Sequence, residues 1–326
     1  MREKMIKNIL QKMQSTLNNS QLYKLKKILE IEFSDLSQID RNIYQLSNET
    51  ILELFINAKK LEGCSENTLK YYVSTITAML NFVDKNVNEI DTNDLRNYLA
   101  NFQNVKKTSK VTIDNIRRIL SSFFSWLEDE NYIIKSPVRR IKKVKTPTTI
   151  KETYTDEELE IMRDSTTNIR DLAIIDILSS TGMRIGELVK LNIEDINFYE
   201  RECVVLGKGN KERIVYFDAR TKIHLKNYIN TRIDKNNALF VSIKYPFNRM
   251  SINGIENRLK KIGDNLGIKK VHPHKFRRTL ATVGIDKGMP IEQVQRLLGH
   301  EKIDTTLKYA MVKQNNVKVS HKKYIS

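Results

Sequence analysis

Residues 297–312 read LLGHEKIDTTLKYAMV and place a tyrosine, Tyr309, nine residues after a histidine, His300. Gly299 ends the apolar run before the histidine, and Asp304 or Thr305 is expected to cap a new helix that carries the tyrosine. A buried core tyrosine is the simplest interpretation. The segments before this stretch decide whether the phenol has a chemical role.

Length and charge limit the class of protein. The chain has 326 residues, and its 40% hydrophobic content is enough for cores in two domains. A formal net charge of +17 favours a polyanionic partner, with nucleic acid ahead of a membrane surface, although an AT-rich genome is another source of lysines. Cys64 and Cys203 form no CxxC pair, and the N-terminus lacks a signal-peptide pattern. We therefore expect a cytoplasmic protein with no membrane partner.

Apolar residues recur at steps of three and four in the first 130 residues, which is typical of amphipathic helices. We expect these stripes to pack as a helical bundle over residues 47–134, with Ser65 and Thr92 as caps. Residues 1–46 are interpreted as a helical N-terminal appendage. The stripes consist of Leu69, Val73, Ile76, Leu80 and Val83, of Leu95, Leu99 and Phe102, and of Ile113, Ile116, Leu120, Phe124 and Leu127.

Residues 135–151, KSPVRRIKKVKTPTTIK, contain basic residues but no acidic one. Their prolines and threonines disfavour a helix. We interpret the segment as a basic linker that contacts DNA, with a solvated strap between domains as the alternative. The basic residues assigned to DNA binding are Arg139, Arg140, Lys142, Lys143 and Lys145.

A second domain is predicted over residues 152–326. The spacing of Thr155 and Glu158 is that of a capping box, and Ser251 is placed to cap another helix. Residues 201–217 are expected to form two short strands around a glycine-containing turn. The fold class is therefore mainly α with a small antiparallel β-sheet.

Six polar side chains of this second region together suit chemistry on a phosphodiester. Each has a simpler alternative: Arg184 can form a surface salt bridge with Glu187, Lys208 can be a solvated turn residue, and a lone histidine is usually structural. The candidate catalytic residues are Arg184, Lys208, His274, Arg277, His300 and Tyr309.

Attack on a phosphodiester gathers negative charge on the phosphate oxygens, which two arginine forks stabilise. A tyrosine oxygen can attack phosphorus, and a lysine at a hairpin tip can protonate the departing sugar oxygen. This chemistry needs no metal or other cofactor. A zinc site is an alternative that lacks ligand spacing, and its four ligands would be Cys203, His272, His274 and His300.

Four blocks, TGMRIGELVKL, GKGNKER, HPHKFR and LLGHEKIDTTLKY, resemble in order and spacing the tyrosine recombinase family of phage integrases, transposon integrases and Xer-type resolvases. By this resemblance, Arg184 and Arg277 bind the phosphate, Lys208 is the general acid and Tyr309 is the nucleophile. The two histidines match His274, which assists the tyrosine proton and the phosphate, and His300, a hydrogen-bond donor to the phosphate. Glu187 matches a supporting acidic residue.

The resemblance also implies how the protein works. Its helical core-binding domain (SAM-like) and its catalytic domain would form a two-domain clamp on a double-stranded DNA recombination site. Four protomers would exchange strands through a Holliday junction and 3′-phosphotyrosyl links, without ATP. An excision factor is a further candidate partner. The tail after Val312 is expected to dock on a neighbouring protomer, with a disordered terminus as the alternative.

Two other classes of function stay open at this level. A type IB topoisomerase uses similar tyrosine chemistry but relaxes supercoils as a monomer. A non-catalytic DNA-binding regulator would keep the fold without needing a nucleophile.

Overall fold

The computed structural model describes residues 2–13, 17, 21–22, 24–33, 46–133, 135–145, 152–207 and 212–307. The chain divides into two compact units, Met1–Thr148 and Thr149–Ser326. Across the described residues, no helix has the length and apolar character needed to cross a bilayer.

The first unit is helical, as predicted. After α1 (Arg2–Met13) and a further helical stretch at 24–33, four helices form its core: α2 (Asn48–Leu61), α3 (Glu66–Val83), α4 (Thr92–Lys106) and α5 (Lys110–Asp129). The predicted cap Ser65 is confirmed, since its hydroxyl accepts from the Thr68 N–H at 3.3 Å. The cap of α4 is Asp91, one residue before the predicted Thr92.

The predicted apolar stripes form the core of this unit, with one difference. Val73 of α3 is exposed, whereas Met79 is fully buried. Val73 lies at one edge of the predicted stripe and Met79 lies just beyond the opposite edge. The bundle covers the side of the helix that carries Met79. The centre of the core is aromatic, and Phe55 contacts the rings of Phe123 and Trp126 edge-on.

The start of the predicted linker packs on α5. Pro137–Arg140 form a 3-10 turn with proline in its first positions, where its missing N–H costs little. Val138 is buried in the core of the first unit. The N–H groups of Ser136 and Val144 donate to Glu128 and to the buried Asp114 at 3.0 and 3.1 Å, so this part of the chain is attached to the unit by two carboxylates and by the buried Val138.

The second unit contains helices around a three-stranded antiparallel sheet of order β1-β2-β3. The predicted hairpin is confirmed as β2 and β3, with Val204 opposite Ile214. The two-residue strand β1 was not predicted, because it is too short for an alternating pattern. The elements are α6 (Asp156–Asp164), α7 (Ile169–Thr181), α8 (Ile185–Leu188), β1 (Ile196–Asn197), β2 (Glu202–Leu206), β3 (Glu212–Tyr216), α9 (Ala219–Asn230), α10 (Ile252–Leu266), α11 (Pro273–Asp286), α12 (Ile291–Leu298) and α13 (Ile303–Leu307).

Helix α7 lies at the centre of this unit and leads directly to the Arg184 segment. It is buried on all sides, so its carboxylates need partners. Asp171 accepts from Arg170 and Arg258, and Asp176 accepts from Arg163 and from the ring of His224.

The cap predictions in this unit had mixed outcomes. The Thr155–Glu158 capping box and the Ser251 cap are confirmed. The prediction that Asp304 or Thr305 caps the last helix was wrong, because α13 begins at Ile303 and both residues lie within it.

Candidate functional site

The candidate site is built around the C-terminal end of helix α12. The last carbonyls of a helix have no partner inside it and carry the negative end of its dipole. Here three consecutive carbonyls each accept a hydrogen bond from a different arginine. Arg213 Nε donates to Leu297 at 3.1 Å, Arg277 Nη2 donates to Leu298, and Arg184 Nη2 donates to Gly299 at 2.9 Å.

Arg184 reaches this helix end from the N-cap of α8. Its backbone N–H and its Nη1 both donate to Glu187, at 2.7 and 2.9 Å, so the carboxylate closes a capping box around the arginine. Arg184 and Glu187 are therefore paired, and Arg184 is the N-cap that precedes helix α8. The surface salt bridge considered above is excluded, since the Glu187 side chain is only 4% exposed.

Glu187 is the acidic centre of the cluster. Besides Arg184, it accepts from Nη1 and Nη2 of Arg213, both at 2.7 Å. Burial alone would raise the pKa of this carboxyl, but the hydrogen bonds from Arg213 and Arg184 outweigh burial and lower it. Glu187 is therefore ionised at neutral pH.

Helix α11 contributes the HPHKFR residues. Arg277 is 3% exposed and also donates through Nη1 to the carbonyl of Gly182 at 2.8 Å. His274 is exposed in the first turn of the same helix. Desolvation of its ring, followed by the charges of Arg277, Arg278 and Arg184, lowers the pKa of His274. Both imidazole and guanidinium thus come from one turn of one helix.

His300 follows Gly299 directly at the helix end. Its backbone N–H donates to the Gln295 carbonyl at 3.1 Å, and its Nδ1 lies 2.8 Å from the hydroxyl of the fully buried Thr306. Burial, and then the positive charges of the three arginines, lower the pKa of His300 to about 4. The ring is therefore neutral at neutral pH and has a fixed partner on one nitrogen.

Arg213 was missed by the sequence analysis. Strand β3 alternates, so Arg213 points to the same side as the buried Val215, while Ile214 and Tyr216 are exposed. A period-two reading of ERIVY groups Arg213 with Val215 and Ile214 with Tyr216, and it would have placed the more apolar Ile214 and Tyr216 in the core. The sequence pattern therefore gave no signal for a buried role of Arg213.

The other predicted residues are distributed as follows. Lys208 and Tyr309 lie outside the described residues, as does the tail after Val312; Lys208 falls between β2 and β3, and Tyr309 follows α13. All five predicted linker residues belong to the first unit and are exposed, and Arg139 also donates to Glu128 at 2.8 Å.

The zinc alternative is not supported by the part of the chain that the structure describes, where no three His, Cys, Asp or Glu side chains are grouped to hold a metal. Cys203 is a core residue of the second unit. Burial raises the pKa of its thiol to about 12, so it remains protonated.

The charges of the cluster suit an anion. Two guanidiniums, of Arg184 and Arg213, pair with the same carboxylate, the guanidinium of Arg277 lies at the same helix end, and both imidazoles have lowered pKa values. Arginine forks are fixed donors for phosphate oxygens and do not lose their charge. The arrangement is therefore chemically suited to a phosphate group.

Comparisons with known proteins agree with this chemistry. The phage integrase family matches residues 150–316, and the N-terminal SAM-like domain of phage integrases matches residues 51–134. Tyrosine recombinase XerC of Staphylococcus aureus is 32% identical over 282 residues, which cover 82% of this chain and 94% of the relative.

Solved structures show the same fold. The Tn1549 transposon integrase in complex with transposon right end DNA aligns with a TM-score of 0.69 at 18% identity, covering 85% of this chain and 99% of the other. The XerH site-specific recombinase bound to a palindromic difH substrate aligns with a TM-score of 0.67 at 21% identity, covering 98% and 95%. This chain belongs to the phage integrase family and is a tyrosine recombinase, a site-specific DNA breaking and rejoining enzyme.

Proposed function

We propose that the enzyme cuts one DNA strand at a time at its recombination site and holds the cut end as a 3′-phosphotyrosyl link on Tyr309. The observation that carries this proposal is the meeting of arginines from three separate elements at the end of α12, next to His300. Three cations held close together with one carboxylate leave a net positive charge, which is costly unless an anion binds there. A backbone phosphate of DNA is the anion that fits.

Arg184 and Arg277 are proposed to bind the phosphate. Each already donates hydrogen bonds to backbone carbonyls, and these bonds fix the plane of the guanidinium before DNA binds. Preorganised donors stabilise the charge that develops on phosphate oxygens without reorganising during the reaction. The Arg184 side chain is 34% exposed, which leaves part of it accessible to a ligand.

The two histidines are proposed to act as neutral imidazoles. With the Thr306 hydroxyl donating to Nδ1 of His300, the ring carries its proton on Nε2 and donates it to a phosphate oxygen. His274 stands three residues before Arg277 and is proposed to assist the proton of the tyrosine. A lowered pKa suits that role, because a protonated ring cannot accept a proton.

The covalent step balances as follows. The Tyr309 oxygen bonds to phosphorus and loses its proton, while the bond from phosphorus to the 5′ oxygen of the sugar breaks. Lys208 is proposed to give a proton to that departing oxygen, which leaves a free 5′-hydroxyl. In rejoining, a 5′-hydroxyl attacks phosphorus and the tyrosine oxygen leaves, so the phosphodiester energy is conserved.

The remaining parts are assigned on the same basis. We propose residues 47–134 as the SAM-like core-binding domain, 135–151 as the basic linker and 152–326 as the catalytic domain, with 1–46 as an appendage. The exposed linker residues are proposed to contact DNA phosphates, where neutralised charge releases counterions. A tetramer in the synapse is the proposed assembly, with an excision factor as a further partner.

A nucleophile variant tests this function. Supercoiled plasmid carrying the presumed recombination site is incubated with the parent or with Tyr309→Phe. We expect a covalent protein–DNA adduct and recombinant DNA for the parent, and DNA binding without either product for the variant. The phenyl ring keeps the size of the side chain but lacks the attacking oxygen.

The alternatives give different outcomes. Relaxed plasmid without recombinants would indicate a topoisomerase. Binding without any adduct from the parent would indicate a regulator. An adduct formed by Tyr309→Phe would contradict the assignment of the nucleophile.

A further inference from the structure

We propose that Arg213 is a positioning residue of the recombination site: it fixes Glu187 against Arg184 and ties strand β3 to the end of helix α12. This inference rests on the proposed function. Arg213 has no assigned role in the four motif blocks considered above, although it closes the GKGNKER block.

Three hydrogen bonds define the position of Arg213. Nη1 and Nη2 each donate to one oxygen of Glu187 at 2.7 Å, and Nε donates to the Leu297 carbonyl at 3.1 Å. The arginine side chain is 12% exposed. Such a bidentate fork in a dry environment sets both distance and orientation, and a lysine ammonium cannot reproduce it.

These contacts let Arg213 act through another residue. Glu187 receives Arg213 on one side and both the backbone N–H and Nη1 of Arg184 on the other. The Glu187 carboxylate thus links Arg213, which is 12% exposed, to Arg184, which is 34% exposed. Without Arg213, Glu187 keeps the donors of Arg184, but its carboxylate is no longer held in one position against Arg184.

The same side chain joins two segments that carry proposed catalytic residues. Strand β3 follows the connection that contains Lys208, and the end of α12 leads into His300 and the segment before Tyr309. The approach is close, because a Cβ on Gly299 would lie 2.8 Å from Cδ of Arg213. The Arg213 guanidinium therefore sets the spacing between strand β3, which follows Lys208 in the chain, and the end of helix α12, which precedes His300 and Tyr309.

A purely structural ion pair is the competing explanation. Buried ion pairs often contribute little net stability, and removing one partner destabilises the fold in any case. The test therefore needs a readout that loss of stability alone would not change. The pH dependence of cleavage supplies it.

The residues around Glu187 determine the expected profile. Arg184 from the start of α8 and Arg213 from β3 contact it directly, while Arg277 from α11 and His300 lie at the same helix end. Burial raises the pKa of Glu187 and the arginine hydrogen bonds lower it. Weakening the Arg213 fork therefore raises this pKa, so the carboxylate is lost at a higher pH.

The experiment compares Arg213→Lys with Arg163→Lys in the full-length protein. Arg163 is a matched control, since its side chain is 14% exposed and its Nε donates to the buried Asp176 at 2.7 Å, outside the site. Single-turnover adduct formation on DNA with the presumed site is measured from about pH 3.5 to about pH 9, so that the range includes the lowered pKa of Glu187 in the parent. DNA binding and urea unfolding are measured alongside.

We expect Arg213→Lys to slow adduct formation by about 10- to 100-fold at neutral pH, because misplaced catalytic groups cost rates of that order. DNA affinity should change less than about threefold, since Arg213 directs its Nε, Nη1 and Nη2 donors to Leu297 and Glu187. The acid limb of the rate profile should move to higher pH, and adding Glu187→Gln should remove that shift. Arg163→Lys should keep the profile of the parent.

Two results would overturn the proposal. One is an unshifted acid limb in Arg213→Lys; the other is an equal slowing in Arg163→Lys at equal loss of stability. Either would make Arg213 a structural ion pair only. Failure of the proposed function is separate, because it would appear as absence of an adduct in the parent.

Discussion

Gly299→Ala is a sharp test of the packing at the end of α12. Gly299 has a φ of 62°, and a methyl group there would lie 2.8 Å from Cδ and 3.1 Å from Nε of Arg213. Gly267, at the end of α10, has a φ of 68° with nothing within 4 Å of an added Cβ. Gly267→Ala is therefore a matched control for the backbone cost alone.

The expected magnitude follows from these contacts. A side chain in the left-handed conformation costs about 1–2 kcal/mol at either position. At Gly299 the methyl must also displace Arg213, and each hydrogen bond to a charged group contributes about 1.5–3 kcal/mol. Losing one of them gives a total of about 2.5–5 kcal/mol for Gly299→Ala. The difference between the two variants should be about 1.5–3 kcal/mol.

Urea unfolding of the full-length variants measures this difference. The only tryptophan, Trp126, lies in the first unit, so its fluorescence follows that unit, while far-UV circular dichroism follows both. We expect an unchanged fluorescence transition in both variants and a larger loss in the second unit for Gly299→Ala. Gly299→Ala should also slow adduct formation, and Gly267→Ala should not. Equal unfolding midpoints for the second unit would refute the reasoning.

Two further predictions concern titration and the first unit. The pKa of His300 is lowered to about 4 in the folded protein, so the unfolded chain takes up a proton at a higher pH than the folded one. Stability from this group is therefore present above about pH 6.5 and is lost as the pH falls to about 4. An NMR titration midpoint of the His300 ring near the usual histidine value would contradict this prediction. Asp114→Asn removes the buried carboxylate that accepts from the Val144 N–H and from two arginines, and it should destabilise the first unit by roughly 3 kcal/mol. Urea unfolding followed by Trp126 fluorescence measures this loss. A loss below about 1 kcal/mol would contradict the anchoring role of Asp114.

Local patterns predicted most of the elements. The caps Ser65, Thr155 and Ser251 were correct because capping depends on neighbours three residues away. The stripes were correct because helical periodicity decides which residues share a face. Where the cap was displaced, at Asp91, two adjacent residues were both suitable, and local sequence does not choose between them.

The candidate site was only partly predictable. The residues Arg184, Glu187 and Arg277 were identified by their chemistry and by resemblance, and the structure brings them together with His300. Arg213 was not identified, because its role depends on a partner from another element. The catalytic roles of all six candidate residues stay predictions, and Lys208 and Tyr309 lie outside the described residues.

By itself the sequence determined the helical and strand periods, most capping residues and the inventory of side chains proposed to bind phosphate, since each depends on residues close together in the chain. Only the tertiary structure decided that three arginines meet on three successive carbonyls of one helix end. Arg184 and Gly299 are 115 residues apart, and packing of the intervening elements sets the distance between them. The same packing buries Glu187 with its arginines, and burial is what makes those contacts strong.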